Sequence, residues 1–220
     1  AYAADGFLPD VMLNFLASLG WNDGTEQEIF TVDELIKKFS LRRVQKSGAR
    51  FDEQRLLWLN GMRIRGLPLK ELYTLVESYW PQEASDYEES YRMQVLSLVQ
   101  ERLKFFAELS ELTIFFFKEQ QPKPELISSH KQLKKLGDQE LRSLLEQTLV
   151  ALETDDFSRE NISTILNNLL VSTGQKPAVL FSLIRIATTW ASASPELAPS
   201  LAVLGREQSL NRIQKAIDSI

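Results

Sequence analysis

The chain contains no cysteine, which excludes disulfides, thiol nucleophiles and cysteine-ligated zinc. That absence fits a reducing compartment. Its one histidine is His130, so a His-Glu-x-x-His metal site or a Ser-His-Asp triad would have to use that residue. Pro, Ser and Lys surround His130, and the segment reads as a solvated loop. No apolar run approaches the ~20 residues needed to span a bilayer. The opening "AYAADGFLPD" lacks the charged n-region and long apolar stretch of a signal peptide. No membrane partner is therefore expected. There is no glycine-rich phosphate cradle. Strand signals are few, because only Ile29-Phe30 and the neighbours of Ile64 suit short extended pieces.

What is present is an ordinary globular balance, with 220 residues, 44% of them hydrophobic and 25% charged. The length suits one large or two small domains. The chain begins at Ala1 with a helix signal almost at once, as expected of a piece of a longer protein. Net charge is −5, which alone argues against a nucleic-acid partner. The distribution argues the other way. Residues 37–70 hold ten Lys or Arg against Asp52 and Glu53, a local excess of eight positive charges that leaves −13 on the remainder. A polyanion responds to the field within a Debye length of ~8 Å rather than to the total.

Helical patterns dominate. In "GFLPDVMLNFLASLGW" the apolar residues Leu8, Val11, Met12, Phe15, Leu16 and Leu19 recur at helical spacing, with Pro9 in the first turn and Gly20 at the stop. Thr31 and Glu34 form a capping box. Asp52 caps a helix bearing Leu56, Leu57 and Leu59, and Asn60-Gly61 is expected to end it, since both residues tolerate the left-handed conformation. A further helix starts at Pro68. The longest stripe runs from about Tyr87 to Phe117 as one helical pattern. The segment "KEQQPKPELISSH" then reads as a domain boundary. Four or five short helices follow, with caps expected at Asp138, Ser158 and Ser194, a Phe157–Ile162 staple, and Pro195 at a first helical position.

Clustered carboxylates at Asp86, Glu88 and Glu89 and at Asp155 and Asp156 lie beside helix starts, where negative charge offsets the helix dipole. No catalytic residue and no metal-ligand set is assigned. The basic stretch is different, because it interleaves cations with apolar residues: Arg50-Phe51, Arg55, Trp58 and Arg63-Ile64-Arg65. That pattern serves a sugar–phosphate backbone. It serves equally a solvated helix face with Trp58 in the core.

Residues 5–65 carry Gly6-Phe7-Leu8-Pro9, Leu13-Asn14-Phe15-Leu16, Leu19-Gly20-Trp21, Glu28-Ile29-Phe30, Phe51-Asp52 and Trp58-Leu59-Asn60-Gly61. This block closely resembles the bacterial glutamyl-tRNA synthetase family. "VQERLKFFAELSELTIFFF" and "LIRIATTWASASPELAPSLAVLGREQSLNRIQKAI" resemble its anticodon-binding end more loosely. The resemblance implies a mainly α fold. It implies a stem-contact region at 1–67, a first helical anticodon-binding subdomain at 68–125 and a second at 126–220. It also implies that the parent enzyme uses ATP and Mg²⁺ to attach glutamate to tRNA-Glu. The family also contains members that charge tRNA-Gln. The catalytic motifs are missing here, so this fragment alone is expected to be inactive.

By the same resemblance, Lys46, Arg50, Arg63 and Arg65 are expected to meet tRNA backbone, and Trp58-Leu59-Asn60-Gly61 to be a packed helix and its stop. Arg102 falls where the family carries an arginine that can face the anticodon's first base, and favours the tRNA-Glu-specific kind. Arg185 is placed beside the anticodon loop. Trp190 stands where the family usually has glycine, and is expected to offer a base a stacking surface. Ser194 and Leu197 complete the expected anticodon set. A cytoplasmic monomer is expected. The competing reading is an acidic all-helical protein–protein interaction module.

Overall fold

The computed structural model describes residues 2–45 and 50–220. Lys46 lies outside the described residues. The chain divides into two compact units, one comprising Ala1–Pro81 and Val99–Glu111, the other Gln82–Leu98 and Leu112–Ile220. Twelve α-helices and four short 3₁₀ turns make up the regular structure, with no strand among the described residues.

The first unit holds α1 (Pro9–Ser18), α2 (Val32–Lys38), α3 (Glu53–Arg65) and α4 (Leu69–Leu75). Local chemistry sets the starts. Pro9 occupies the first turn of α1. Thr31 and Glu34 form the expected capping box at α2, and the Thr31 N–H donated to Glu34 draws that carboxyl below its usual range. Asp52 accepts the Arg55 N–H at 3.1 Å to cap α3. Ile29-Phe30 forms no strand because the buried Asn14 amide occupies the Phe30 backbone. Asn14 Oδ1 accepts the Phe30 N–H at 2.7 Å, and Nδ2 donates to the Phe30 carbonyl at 2.6 Å.

Asn60-Gly61 does not end α3. Both residues are buried in its interior, and the helix stops at Gly66. Asn60 accepts the Leu8 N–H at 2.9 Å and donates to the Lys104 carbonyl. Gly61 lets the backbone at 103–104 approach: a Cβ there would lie 3.3 Å from the Leu103 carbonyl oxygen. A polar tether next to a missing side chain is what a crossing of helix and chain requires. Trp58, expected in the core, is 49% exposed.

The long stripe from Tyr87 to Phe117 is two helices, α5 (Glu89–Val99) and α6 (Glu108–Phe117), with a turn between them. Gln100 explains the break. Its Nε2 donates to the carbonyls of Ile64 at 3.0 Å, in the last turn of α3, and Leu67 at 2.8 Å, just beyond it, and so ties the end of α5 to the end of α3. The Lys104 N–H donates to Glu108 at 2.7 Å, and α6 begins at that residue.

The second unit continues with α7 (Glu125–Ser128), α8 (Asp138–Ala151), α9 (Arg159–Thr173), α10 (Pro177–Thr189), α11 (Leu197–Leu204) and α12 (Arg206–Ser219). One apolar core, including Leu144, Leu166, Leu183, Ile184 and Ile213, joins α8 to α12. Ile127 of α7 is buried in the same core. Ser158 caps α9 as expected, accepting the Asn161 N–H. Two expected caps differ. Asp138 is the first residue of α8, with Gly137 at the cap position. Helix α11 starts at Leu197 behind Glu196, so Ser194 and Pro195 precede it. Ser194 and Pro195 are buried, and that packing overrides the capping signal. His130 is half-buried, and its Nδ1 accepts the N–H groups of Gln132 and Leu133 within a turn.

Candidate nucleic-acid interface

In the first unit several cations of the basic stretch already have partners. Lys38 reaches Asp23 at 2.9 Å and Gln27 at 2.8 Å, and sits 5.0 Å from the centre of the Phe30 ring. Arg43 donates to the Asp23 backbone carbonyl. Arg55 lies 3.6 Å from Glu28, and Arg63 pairs with Asp10 at 2.8 Å. Hydrogen bonds from Thr25, with Lys38 adding to them, hold the Asp23 carboxyl down at about 2. The Arg55–Glu28 and Arg63–Asp10 pairs are partly exposed on both sides, so each stabilises the unit by little, whereas the Asp23 side chain of the Lys38 pair is buried. Their larger effect is to neutralise charge that the sequence counts as available. Lys37, Arg42 and Arg50 stand exposed with no ion pair among the described residues. Arg65 is half-buried beside Gly61.

Arg102 is also in the first unit. It is not on a helix but in the turn after α5, and it is exposed. Its N–H donates to the Val99 carbonyl at 2.8 Å, fixing the turn while the guanidinium faces solvent. A planar fork on an ordered turn can hydrogen-bond a base edge bidentately or stack on a splayed base.

Arg185, Trp190, Ser194 and Leu197 lie together in the second unit at the C-terminal end of α10 and the segment after it. Arg185 is half-buried between Ile184 and Ile186. Thr189 donates its hydroxyl to the Arg185 carbonyl at 2.8 Å, and Thr188 does the same to Ile184 at 2.8 Å, which tightens the last turn. Trp190 stops the helix in the left-handed conformation at φ 45°. No other non-glycine residue among those described has a positive φ. Its indole is 4% exposed and belongs to the apolar core. In this conformation it presents almost no face to a base, contrary to the expectation of a stacking surface. Burial of the large ring offsets the strained backbone. Ser194 is 2% exposed, and its Oγ is buried without a hydrogen-bond partner. Leu197 is buried in the core. Between Trp190 and Ser194, Ser192 and Ala193 are exposed.

Arg212 escaped the sequence reading. It is buried on α12, donates to the Thr188 carbonyl at 2.9 Å and reaches Gln208 at 3.4 Å. Burial lowers its pKa, while Glu119, Tyr91 and Tyr87 favour its charge. Tyr91, pushed up to about 12 mainly by burial, donates to the Phe116 carbonyl at 3.2 Å. Arg212 thus ties the end of α10 to α12. A signal existed, because Ser209, Arg212, Ile213 and Ala216 recur at the spacing of a buried helical stripe.

No group of three or more His, Asp or Glu residues placed to hold a metal ion occurs among the described residues. No helix among them is long and apolar enough to cross a membrane.

Comparisons with known proteins give two matches in chain order. The family model described as the anticodon binding domain matches residues 71–217. The model described as the catalytic domain of class I tRNA synthetases (E and Q) matches residues 1–58. A glutamate–tRNA ligase of Flavobacterium psychrophilum is 34% identical over 223 residues, covering 100% of this chain and 43% of the ligase. That of Clostridium novyi is 36% identical over 219 residues, covering 98% and 45%. A crystal structure of a glutamate–tRNA synthetase from Elizabethkingia anophelis superposes with a TM-score of 0.78 at 24% identity, over 99% of this chain and 42% of that one. One from Elizabethkingia meningosepticum, a glutamate tRNA ligase in complex with its amino acid, gives 0.77 at 22% identity over 100% and 43%. At those identities the two structures speak for the fold. The chain spans less than half the length of the curated relatives it matches.

Proposed function

The chain belongs to the anticodon-binding-domain family, and from that premise we propose that it is the tRNA-binding C-terminal portion of a glutamate–tRNA ligase. The observation that carries this is the order of the two matched models along one chain, a catalytic-domain segment followed by an anticodon-binding domain. The whole enzyme attaches glutamate to tRNA-Glu with ATP and Mg²⁺. The catalytic motifs belong to the part of that enzyme outside this chain. Its part is to bind and orient the tRNA.

The division of labour is a stem-contact region at 1–67, a first anticodon-binding subdomain at 68–125 and a second at 126–220. Lys46, Arg50 and Arg65 meet phosphates, whereas Arg63, expected among them, is held by Asp10 at 2.8 Å and drops out of the phosphate count. Exposed Arg102 faces the anticodon's first base, and Arg185 contacts the loop beside it. Trp190, Ser194 and Leu197 are buried. They act from beneath, holding the exposed Ser192-Ala193 segment in place for the anticodon. Arg102 favours tRNA-Glu over tRNA-Gln. The enzyme works as a cytoplasmic monomer.

The test is titration of this chain with tRNA-Glu and tRNA-Gln at two salt concentrations. Tighter binding of tRNA-Glu that weakens with salt is expected, since each phosphate contact steepens the fall of log K with log salt. Equal binding of the two tRNAs would remove the anticodon role. Absence of binding at low salt, with salt-insensitive capture of a protein instead, would return the chain to the interaction-module reading. Replacing Arg102 with Gln in the full-length enzyme should raise the relative charging of tRNA with C at the first anticodon position.

A further inference from the structure

Helix α10 takes its closing cation from another helix. Its own last turn carries no basic residue, and the last carbonyls of a helix lack partners within it. The charge comes from α12. Arg212, 6% exposed, donates from Nη1 to the Thr188 carbonyl at 2.9 Å and from Nη2 to Gln208 at 3.4 Å. A cation at that point meets the negative end of the α10 dipole. Ser209, on the same buried stripe of α12, donates its hydroxyl to the Leu201 carbonyl of α11 at 3.4 Å. Buried polar residues of α12 thus hold both helices that flank residues 190–196.

The bonds continue from Arg212 to the surface. The Thr189 hydroxyl donates to the Arg185 carbonyl at 2.8 Å and accepts the Ala191 N–H at 3.2 Å. One turn of backbone therefore connects the buried guanidinium with Arg185 and with the exposed Ser192-Ala193. Burying a guanidinium carries a desolvation penalty, and an apolar side chain of similar length would fill the space without it. Core packing alone does not call for arginine at this position. We propose that Arg212 is a positioning residue for anticodon reading. By fixing the Thr188 carbonyl it sets where α10 stops, and so where Arg185 and Ser192-Ala193 meet the anticodon loop. This role rests on the tRNA reading above and adds to it a residue that touches no nucleotide.

The test is titration of this chain and its variants with tRNA-Glu transcripts that differ only in the anticodon. Arg212→Met should lower the preference for the cognate anticodon by about tenfold, the size of effect open to a residue linked to a site without touching the ligand. The slope of log K against log salt should stay unchanged, because a buried arginine meets no phosphate. Arg212→Lys keeps a cation and a donor and should restore most of the preference. Leu145, fully buried on α8 in the same core, provides the control for loosening alone. Leu145→Ala should destabilise the unit at least as much as Arg212→Met and leave the preference intact. Thr189→Val removes the next link and should act like Arg212→Met, so a methionine variant that fails to fold does not leave the question open. Retained preference in a folded Arg212→Met chain, or in Thr189→Val, would overturn the proposal. So would an equal loss in Leu145→Ala. A parent chain that binds both anticodons alike removes the anticodon reading and this role with it, whereas a parent preference that Arg212→Met leaves unchanged removes this role alone.

Discussion

Replacing Asn60 with leucine separates two reasons for burying a polar side chain inside α3. The Asn60 side chain is fully buried and bridges two distant stretches, accepting from Leu8 N–H at 2.9 Å and donating to the Lys104 carbonyl. Leucine keeps the branched shape and removes both bonds. The Leu8 N–H, buried at the start of α1, is then left without a partner, at a cost of about 1–3 kcal/mol. Lys104 is exposed, so water can take up its carbonyl and that loss is small. A net loss of ~2 kcal/mol corresponds to a fall in melting temperature of roughly 10 °C for a unit of this size.

The assay follows from where the tryptophans lie. With Trp190 changed to Phe, the remaining indoles, Trp21, Trp58 and Trp80, all belong to the first unit, so their fluorescence reports its unfolding. Asn60→Ala provides the comparison. If the side chain serves only as filler, leucine restores what alanine loses. If the hydrogen bonds matter, both variants fall. An Asn60→Leu protein melting within about 2 °C of its parent would refute the argument.

The same logic extends to three other positions. Arg212→Met removes the donor on the Thr188 carbonyl and should cost about 1–3 kcal/mol, read by Trp190 fluorescence with the other three tryptophans replaced; unchanged unfolding would show that the bond contributes nothing net. Trp190→Gly relieves the left-handed backbone but empties a core position. A large aromatic truncation costs about 3–5 kcal/mol and the relief returns about 1–2, so the variant should be less stable, and a gain in stability would refute that balance. Asp23, held at about 2, binds its proton less readily folded than unfolded. Its contribution is therefore complete above the ordinary carboxylate range and is lost as pH falls from about 4 through 2. Asp23→Asn should flatten the stability of the first unit across that window, and an unaltered acid profile would exclude the group.

What the sequence discloses is the chemistry that acts over three or four residues. The Thr31–Glu34 box, the Asp52 cap and the Ser158 cap are all formed, because each needs only its own turn. The misreadings involve chain far away. Asn60-Gly61 has the composition of a helix stop, but residues 103–104 pass against it and turn the pair into a crossing point. The stripe from Tyr87 to Phe117 keeps helical spacing through Leu103 and Phe106, both buried. Only Gln100, reaching the carbonyls at the end of α3, reveals why the helix must open there. Ser194-Pro195 reads as a helix start, yet burial of both residues moves that start to Leu197. Arg212 is legible by spacing, but its residue type points outward, since arginine is mostly exposed.

The paired cations bear most directly on tRNA binding, because they separate charge that is counted from charge that is available. Arg63 and Arg50 look equivalent in sequence. In the structure Arg63 is held by Asp10 at 2.8 Å, whereas Arg50 is exposed with no ion pair among the described residues. An arginine that already has a carboxylate offers little net positive charge to displace the counterions condensed on tRNA, and moving it to a phosphate would leave Asp10 unpaired. An exposed arginine that meets a phosphate releases about 0.7–0.9 of a counterion. Arg50→Gln should therefore reduce the slope of log K against log salt by about 1 and weaken all tRNAs alike. Arg63→Gln should leave the slope almost unchanged. Equal reductions from the two substitutions would mean that the Asp10 pair opens on binding, and would refute the claim that pairing removes Arg63 from the phosphate count.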